Sequence, residues 1–240
     1  MIVAMSARAR AGDAWRWVKA RLGLARPRGV DWHRRGVGGR WDEMGELQFR
    51  FLVDRGLLPH HRLLDVGCGS LRGGVRAIAY LEPGHYVGIE KEASLLEAGR
   101  TIELRRHGVE DRDPLLHVTG SFDLQWLPPE IRFDFALAQS VFTHLRPGLI
   151  TACLRSVLPR LTRDGVFFAT FFESLDGRDV LGPSHGWRED ELQHPRFTRA
   201  TLERLANEVG ATVEYIGDWG HPRDQRMLAF RRAPETAHSS

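Results

Sequence analysis

The stretch Leu63-Leu64-Asp65-Val66-Gly67-Cys68-Gly69-Ser70-Leu71-Arg72-Gly73-Gly74 limits what this chain can fold into more than any other. Its apolar opening, Leu63–Val66, has the character of a strand buried on both faces. Gly67 and Gly69 then allow a turn and a close approach of backbone to ligand that a side chain would forbid. A helix beginning after such a turn offers its unpaired amides to an electronegative group. A loop of this kind at the carboxyl end of a strand is the usual ligand crevice of an open α/β sheet.

The chain around it alternates helix and strand patterns. Met44, Leu47 and Phe51 are spaced as one face of a helix over residues 41–58, broken by Gly56 and Pro59. Helices are expected at 72–81, at 92–104 on Leu95, Ala98 and Ile102, and from Pro147 onward on Ile150, Cys153, Leu154, Val157 and Leu158. One more is expected at 198–209, stopped by Gly210. Strands are expected at 86–89, 115–118, 133–138, 166–172, 212–216 and 227–230, with a polar segment at 173–197. This alternation predicts a doubly wound, mostly parallel sheet with helices on both faces. No helix separates the last two strands, so the final one should run antiparallel to its neighbour.

Charge is uneven along the 240 residues. Residues 1–40 carry ten Arg or Lys against Asp13 and Asp31, a net +8, whereas residues 41–240 carry 24 basic and 29 acidic residues, a net −5. The basic stretch reads as a partly flexible N-terminal arm with a short helix at 13–24 presenting Trp15, Val18 and Leu22, and it suits peripheral contact with a membrane surface. The acidic body does not favour nucleic acid as a partner. Cys68 and Cys153 are the only cysteines, too few for a disulfide framework, and a cytoplasmic location is expected. No apolar run reaches the ~18 residues of a membrane span. Residues 233–240 form a polar, flexible tail.

Glu90 closes the second strand, 23 residues after Gly67. An ionised carboxylate there can accept from both hydroxyls of a ribose diol. The same pairing marks nicotinamide-dinucleotide folds, but three details oppose that reading. The glycines are spaced Gly67-x-Gly69-x-x-x-Gly73, Asp65 would repel a pyrophosphate, and the last strands do not continue a six-stranded parallel sheet.

In order and spacing, three segments resemble the motifs of class I S-adenosylmethionine-dependent methyltransferases. These are Leu64-Asp65-Val66-Gly67-Cys68-Gly69, then Gly88-Ile89-Glu90, then Phe133-Asp134-Phe135-Ala136-Leu137-Ala138-Gln139-Ser140-Val141-Phe142 with His144-Leu145. With the strand near Gly165 the resemblance spans about residues 57–172. It implies a Rossmann-like seven-stranded sheet in the order 3-2-1-4-5-7-6, strand seven antiparallel, under an N-terminal helical cover. The methyltransferase domain would run over residues 41–232, with S-adenosyl-L-methionine as cofactor. By position, Gly67 and Gly69 would face its methionine portion, Asp65 would act through its amine or a bound water, and Glu90 would hold its ribose. Ser121 stands where many relatives carry an acid for the adenine amine, so Phe122 and Asp123 are the expected adenine contacts. Gln139 and Ser140 would lie near the transferred methyl.

A hydroxyl acceptor gains from a base as its proton leaves. His144, His185 and His221 are the candidates, the last two on loops at crevice-side strand ends. His221 and Asp224 lack the spacing of a metal site, and no metal is expected. The function expected is in-line methyl transfer to oxygen of a small-molecule or glycan-like acceptor. The alternatives are a catalytically silent cofactor-binding or assembly protein on the same fold and, further off, an NAD-dependent oxidoreductase.

Overall fold

A mixed eight-stranded sheet organises the computed structural model, which describes residue 29, residues 31–181 and residues 194–233. The expected helix at 13–24, His185 and all of the tail beyond Ala233 lie outside the described residues. The strands are β1 Leu63–Val66, β2 Tyr86–Glu90, β3 Leu115–Val118, β4 Phe133–Ala138, β5 Leu161–Glu173, β6 Arg196–Phe197, β7 Ala211–Asp218 and β8 Arg226–Arg232. Their order is β3-β2-β1-β4-β5-β8-β7, with β6 pairing only with β5. Strands β1 to β5 are mutually parallel, and β8 is antiparallel to both β5 and β7. The order implied by the family resemblance is thus present, β7 and β8 standing for its sixth and seventh strands.

The eighth strand was not expected. β6 falls inside the segment read as a polar insert, where Arg196 and Phe197 pair with Phe172 and Glu173. Phe197 is fully buried there. Its burial against the end of β5 draws this short piece of chain into the sheet. β5 is also longer than the apolar core of its sequence implied, because the ladder with β4 continues down to Phe133 and Leu161 past an irregularity.

Every residue of β1 and β2 is buried, as befits strands covered on both faces. The helices are α1 Trp32–Gly36, α2 Trp41–Asp54, α3 Gly74–Tyr80, α4 Ala93–Ala98, α5 Leu104–His107, α6 Pro147–Val157 and α7 Arg199–Asn207. One core layer packs Met44 and Leu52 of α2, Val75 and Ile78 of α3, and Leu96 of α4 on one face of the sheet. The other packs Ile150, Cys153, Leu154 and Val157 of α6 and Leu202 and Leu205 of α7 on the opposite face. Each large aliphatic side chain so buried contributes about 1.5–3 kcal/mol. α7 starts where its sequence says it should, with the Thr198 hydroxyl accepting from the Thr201 amide at 3.2 Å. Among the described residues no helix is long and apolar enough to cross a membrane.

Between α4 and α5 the chain makes a π-helical turn, Gly99–Glu103. Within it Glu103 is fully buried and gathers Arg34 and His33 from α1. Arg34 donates to both its oxygens at 2.8 Å, and His33, itself fully buried, lies 2.5 Å from Oε1. Burial works against this charge, but the fork with Arg34, the bond to His33 and the nearby Arg106 outweigh it and hold the carboxyl below its usual range. Residues 31–40, assigned from the sequence to the arm, therefore form a strap fastened to the sheet domain. Hydrophobic periodicity could not reveal it, because the fastening is the ion pair of Arg34 with Glu103, 69 residues apart in the chain.

Candidate active site at the carboxyl ends of β1, β2 and β4

The glycine turn is stapled to the strand beside it. Ile89 carbonyl accepts from the Gly67 amide at 2.8 Å and from the Cys68 amide at 3.1 Å. Gly67 and Gly69 have φ of +71° and +57°, the left-handed region where a glycine is unstrained. A Cβ on Gly67 would also meet Val141 at 2.6 Å, and one on Gly69 would meet Val37 of the strap at 2.6 Å. These two positions are thus glycine for both conformation and packing.

Glu90 orients the turn. Its Oε2 accepts from the Gly69 amide at 2.8 Å and its Oε1 from the Glu92 amide at 2.9 Å. Each oxygen keeps a further lone pair for a ligand donor. Asp65, one strand over, accepts from the Tyr86 hydroxyl at 2.7 Å. Burial and, less strongly, the charge of Glu90 push its pKa up to about 6 against the pull of the Tyr86 bond and of Arg72. Neither carboxylate forms an ion pair among the described residues. The Cys68 thiol between them is buried and driven well above its normal pKa by that burial and by both acids, so it is no nucleophile.

The loop after β3 holds Ser121, Phe122 and Asp123. The Ser121 amide donates to Thr119 Oγ1 at 3.3 Å, and the residue is exposed. Phe122 has a φ of +60°, is half-buried against the apolar core, and its carbonyl accepts from the Ser156 hydroxyl. Asp123 Oδ1 accepts from the Gln125 amide at 2.9 Å, an Asx turn that shapes the loop.

At the end of β4 a polar network joins residues from five parts of the chain. Ser140, at φ +58°, donates its amide to Thr170 Oγ1 at 2.7 Å, and Thr170 donates to Gln225 Oε1 at 2.7 Å. Gln225 Nε2 returns a bond to Ser140 Oγ at 2.9 Å. Gln139 Oε1 accepts from Gln48 Nε2 at 2.6 Å and from Arg72 Nη2 at 2.9 Å. Since arginine only donates, the Gln139 oxygen must face Arg72 and its amide nitrogen must face His221, 3.3 Å from His221 Nε2. His221 Nδ1 meanwhile accepts from the Arg223 amide at 3.2 Å. A neutral imidazole accepts at only one nitrogen, so one ring N–H here is turned toward another donor. His221 is buried and stacks on Trp219 at 5.4 Å between centroids. Burial first, then Arg72, Arg223 and Arg40, lower its pKa to about 4.

His144 ends a short 3₁₀ turn, Phe142–His144, and is exposed at the rim. Its ring meets that of His194 edge-on at 4.9 Å, and desolvation together with His194, Lys91 and Arg223 lowers its pKa. The crevice therefore brings together Asp65, Gly67, Gly69, Glu90, Gln139, Ser140 and His221, while His185 lies outside the described residues. The sequence reading left Gln48, Arg72, Thr170, Arg223 and Gln225 without a role. Arg72 follows the glycine turn by three residues, and that proximity was the available signal. A cavity of about 260 Å³ lined by Asp134, Phe135, Asp164 and Arg231 lies at the other, amino end of the parallel strands. It is remote from this crevice.

The model of a family described as a methyltransferase domain matches residues 32–216, and the chain belongs to that family. The fold is that of class I S-adenosylmethionine-dependent methyltransferases. Among solved structures, an S-adenosylmethionine-dependent methyltransferase from Clostridium acetobutylicum superposes with a TM-score of 0.59 at 10% identity, covering 85% of this chain and 96% of that one. Mitomycin 7-O-methyltransferase MmcR gives 0.60 at 17% identity over 89% of this chain and 60% of its own. The glycopeptide N-methyltransferase MtfA, complexed with S-adenosylmethionine, gives 0.59 at 16% identity over 79% and 94%. These likenesses concern the fold, and the matched region includes the strap from Trp32 onward.

Proposed function

We propose that this protein methylates a hydroxyl group of a small-molecule or glycan-like acceptor, with S-adenosylmethionine bound between the glycine turn, Asp65 and Glu90. The donor set suits that cofactor. Two buried carboxylates that form no ion pair among the described residues favour a cationic ligand and disfavour a pyrophosphate. When bound, S-adenosylmethionine supplies a methyl group on a sulfonium already activated for displacement. Glu90 holds the ribose hydroxyls with the lone pairs its backbone bonds leave over, and Asp65 balances the ammonium end. Phe122 and Asp123 border the adenine, with the exposed Ser121 beside them. Gln139 and Ser140 are fixed by Arg72, Gln48, Thr170 and Gln225, so the reacting groups meet a rigid floor.

The observation that carries the hydroxyl reading is the contact between Gln139 and His221. In the tautomer with its hydrogen on Nδ1, which gives up the bond from the Arg223 amide, His221 offers the Nε2 lone pair, so a hydroxyl entering there takes the Gln139 N–H on its oxygen and points its proton at Nε2. His221, neutral across the physiological range, receives that proton as the methyl group arrives. His144 stands at the rim as an acceptor contact. The test is release of S-adenosylhomocysteine across a panel of hydroxylated small molecules, sugars and amines. His221→Ala should lower turnover on a hydroxyl acceptor about 10²-fold with cofactor affinity retained. Unchanged turnover in that variant, or activity confined to amines, would remove the reading. Cofactor binding without turnover on any acceptor would favour the silent cofactor-binding protein.

A further inference from the structure

We propose that Arg72 and Arg223, which meet over the strap beside His221, form a receptor for an anionic group, a carboxylate or phosphate, carried by the acceptor. This deepens the reading above and rests on it for the identity of the crevice. The two guanidinium groups of Arg72 and Arg223 converge over the strap: a Cβ on Gly38 would lie 3.7 and 3.8 Å from Arg223 nitrogens and 3.9 Å from Arg72 Nη1. Arg72 is buried, an unusual place for arginine unless a carboxylate answers it. Among the described residues none lies within ion-pair distance of Arg72 or Arg223. Their partners are neutral: Val37 and Gly39 carbonyls accept from Arg72 at 2.6 and 3.0 Å, and the Gly38 carbonyl from Arg223 at 3.3 Å.

Carbonyl dipoles orient these cations without cancelling their charge. Burial first and then the nearby Arg223 lower the pKa of Arg72 to about 10 against the pull of Asp65, and after burial the three arginines lower that of His221. Arg223 is exposed and its Nη1 and Nε remain open to an incoming oxyanion. The acceptor supplies the anion, because the cluster sits with Gln139 and His221 and the β7–β8 loop, whereas Asp65 and Glu90 occupy the cofactor side. One other source has the same chemistry, the carboxylate of the cofactor's methionine end.

The probe is inorganic phosphate, titrated by calorimetry into the full chain saturated with S-adenosylhomocysteine. One saturable site is expected, weakened about tenfold or more by Arg223→Gln through loss of a charge-assisted bond. The affinity for S-adenosylhomocysteine and the melting temperature should stay unchanged in that variant. Absence of saturable phosphate binding overturns the proposal. So does a comparable loss of affinity for S-adenosylhomocysteine in Arg223→Gln that its decarboxylated analogue does not share, which would hand the cations to the cofactor. Phosphate binding requires no methyl transfer. A protein that binds phosphate this way yet methylates only amines would therefore sink the hydroxyl reading and leave the anion receptor standing.

Discussion

The two sides of the crevice are built on the same device with opposite sign. On the β1–β2 side Asp65 and Glu90 stand close enough that the charge of one raises the pKa of the other, and the larger push comes from burial. On the β4 and β7–β8 side burial lowers Arg72 and His221, and neighbouring arginines lower them further. In each half, like charges stand together, and among the described residues neither Asp65, Glu90, Arg72 nor Arg223 has a partner within ion-pair distance, so each half is relieved by a ligand of opposite sign. Arg72 is the boundary, since it acts on both Asp65 and His221. A single crevice can thus sort a cationic donor from an anionic acceptor and set them end to end, which is the arrangement in-line displacement needs.

The acidic half should be the more fragile. Glu90→Ala removes the carboxylate proposed to hold the ribose and frees the Gly69 amide that it holds. It should weaken S-adenosylhomocysteine binding by about 1.5–3 kcal/mol, measured by calorimetry, while leaving phosphate binding intact. Loss on both sides together would show that the halves are not independent.

Asp65 should behave as a functional group kept at the expense of stability. Its folded pKa of about 6 lies above the usual carboxylate value, so ionisation disfavours the folded state. The penalty is absent below about pH 4, grows between pH 4 and 6, and is complete above pH 6, at no more than about 3 kcal/mol. Asp65→Asn should therefore stabilise the ligand-free protein by about 2 kcal/mol at pH 8 and by less at pH 5. Urea unfolding at the two pH values measures this, and equal effects at both would contradict the assignment. Because the wild-type carboxyl gains a proton as pH falls through 6, affinity for S-adenosylhomocysteine should fall by up to about tenfold between pH 7 and 5. The Asn variant should show a flat profile there.

The smallest effect is expected at the outer edge of the basic half. Arg40 is exposed and already shared with Glu43 at 3.1 Å. Arg40→Gln should change phosphate affinity by about twofold and only at low salt, as surface charges do. A loss as large as that of Arg223→Gln would move the centre of the receptor toward the strap.

Much of the acidic half was readable in advance. Asp65, Gly67, Gly69 and Glu90 lie at the ends of two adjacent strands, and a strand's apolar run and its terminating turn are local patterns. The basic half was not. Arg72 was visible as a residue but its partners come from residues 37, 39 and 139, and Gln139 is in turn held from α2 through Gln48. Arg223 lies in the loop between β7 and β8, and nothing in its sequence neighbours says that it meets Arg72. His221 stood out as one of three histidines, and only packing against Trp219 and Gln139 separates it from His144 at the rim.

Local order in the chain, the period of its apolar residues and the placement of glycines were enough to define a doubly wound sheet, its antiparallel ending and the glycine turn flanked by Asp65 and Glu90. Those features depend on contacts between neighbours in sequence or on strands whose order follows from short connections. Folding alone settled the π turn that buries Glu103, the strap it fastens, the two-residue β6, and the meeting of Arg72 with Arg223. Each of these depends on charge or packing between segments tens of residues apart, and no periodicity records such a contact. The turn from Leu63 to Gly74 thus reads from the sequence as a place to hold a methyl donor, and the fold surrounds it with the cations that would choose what is methylated.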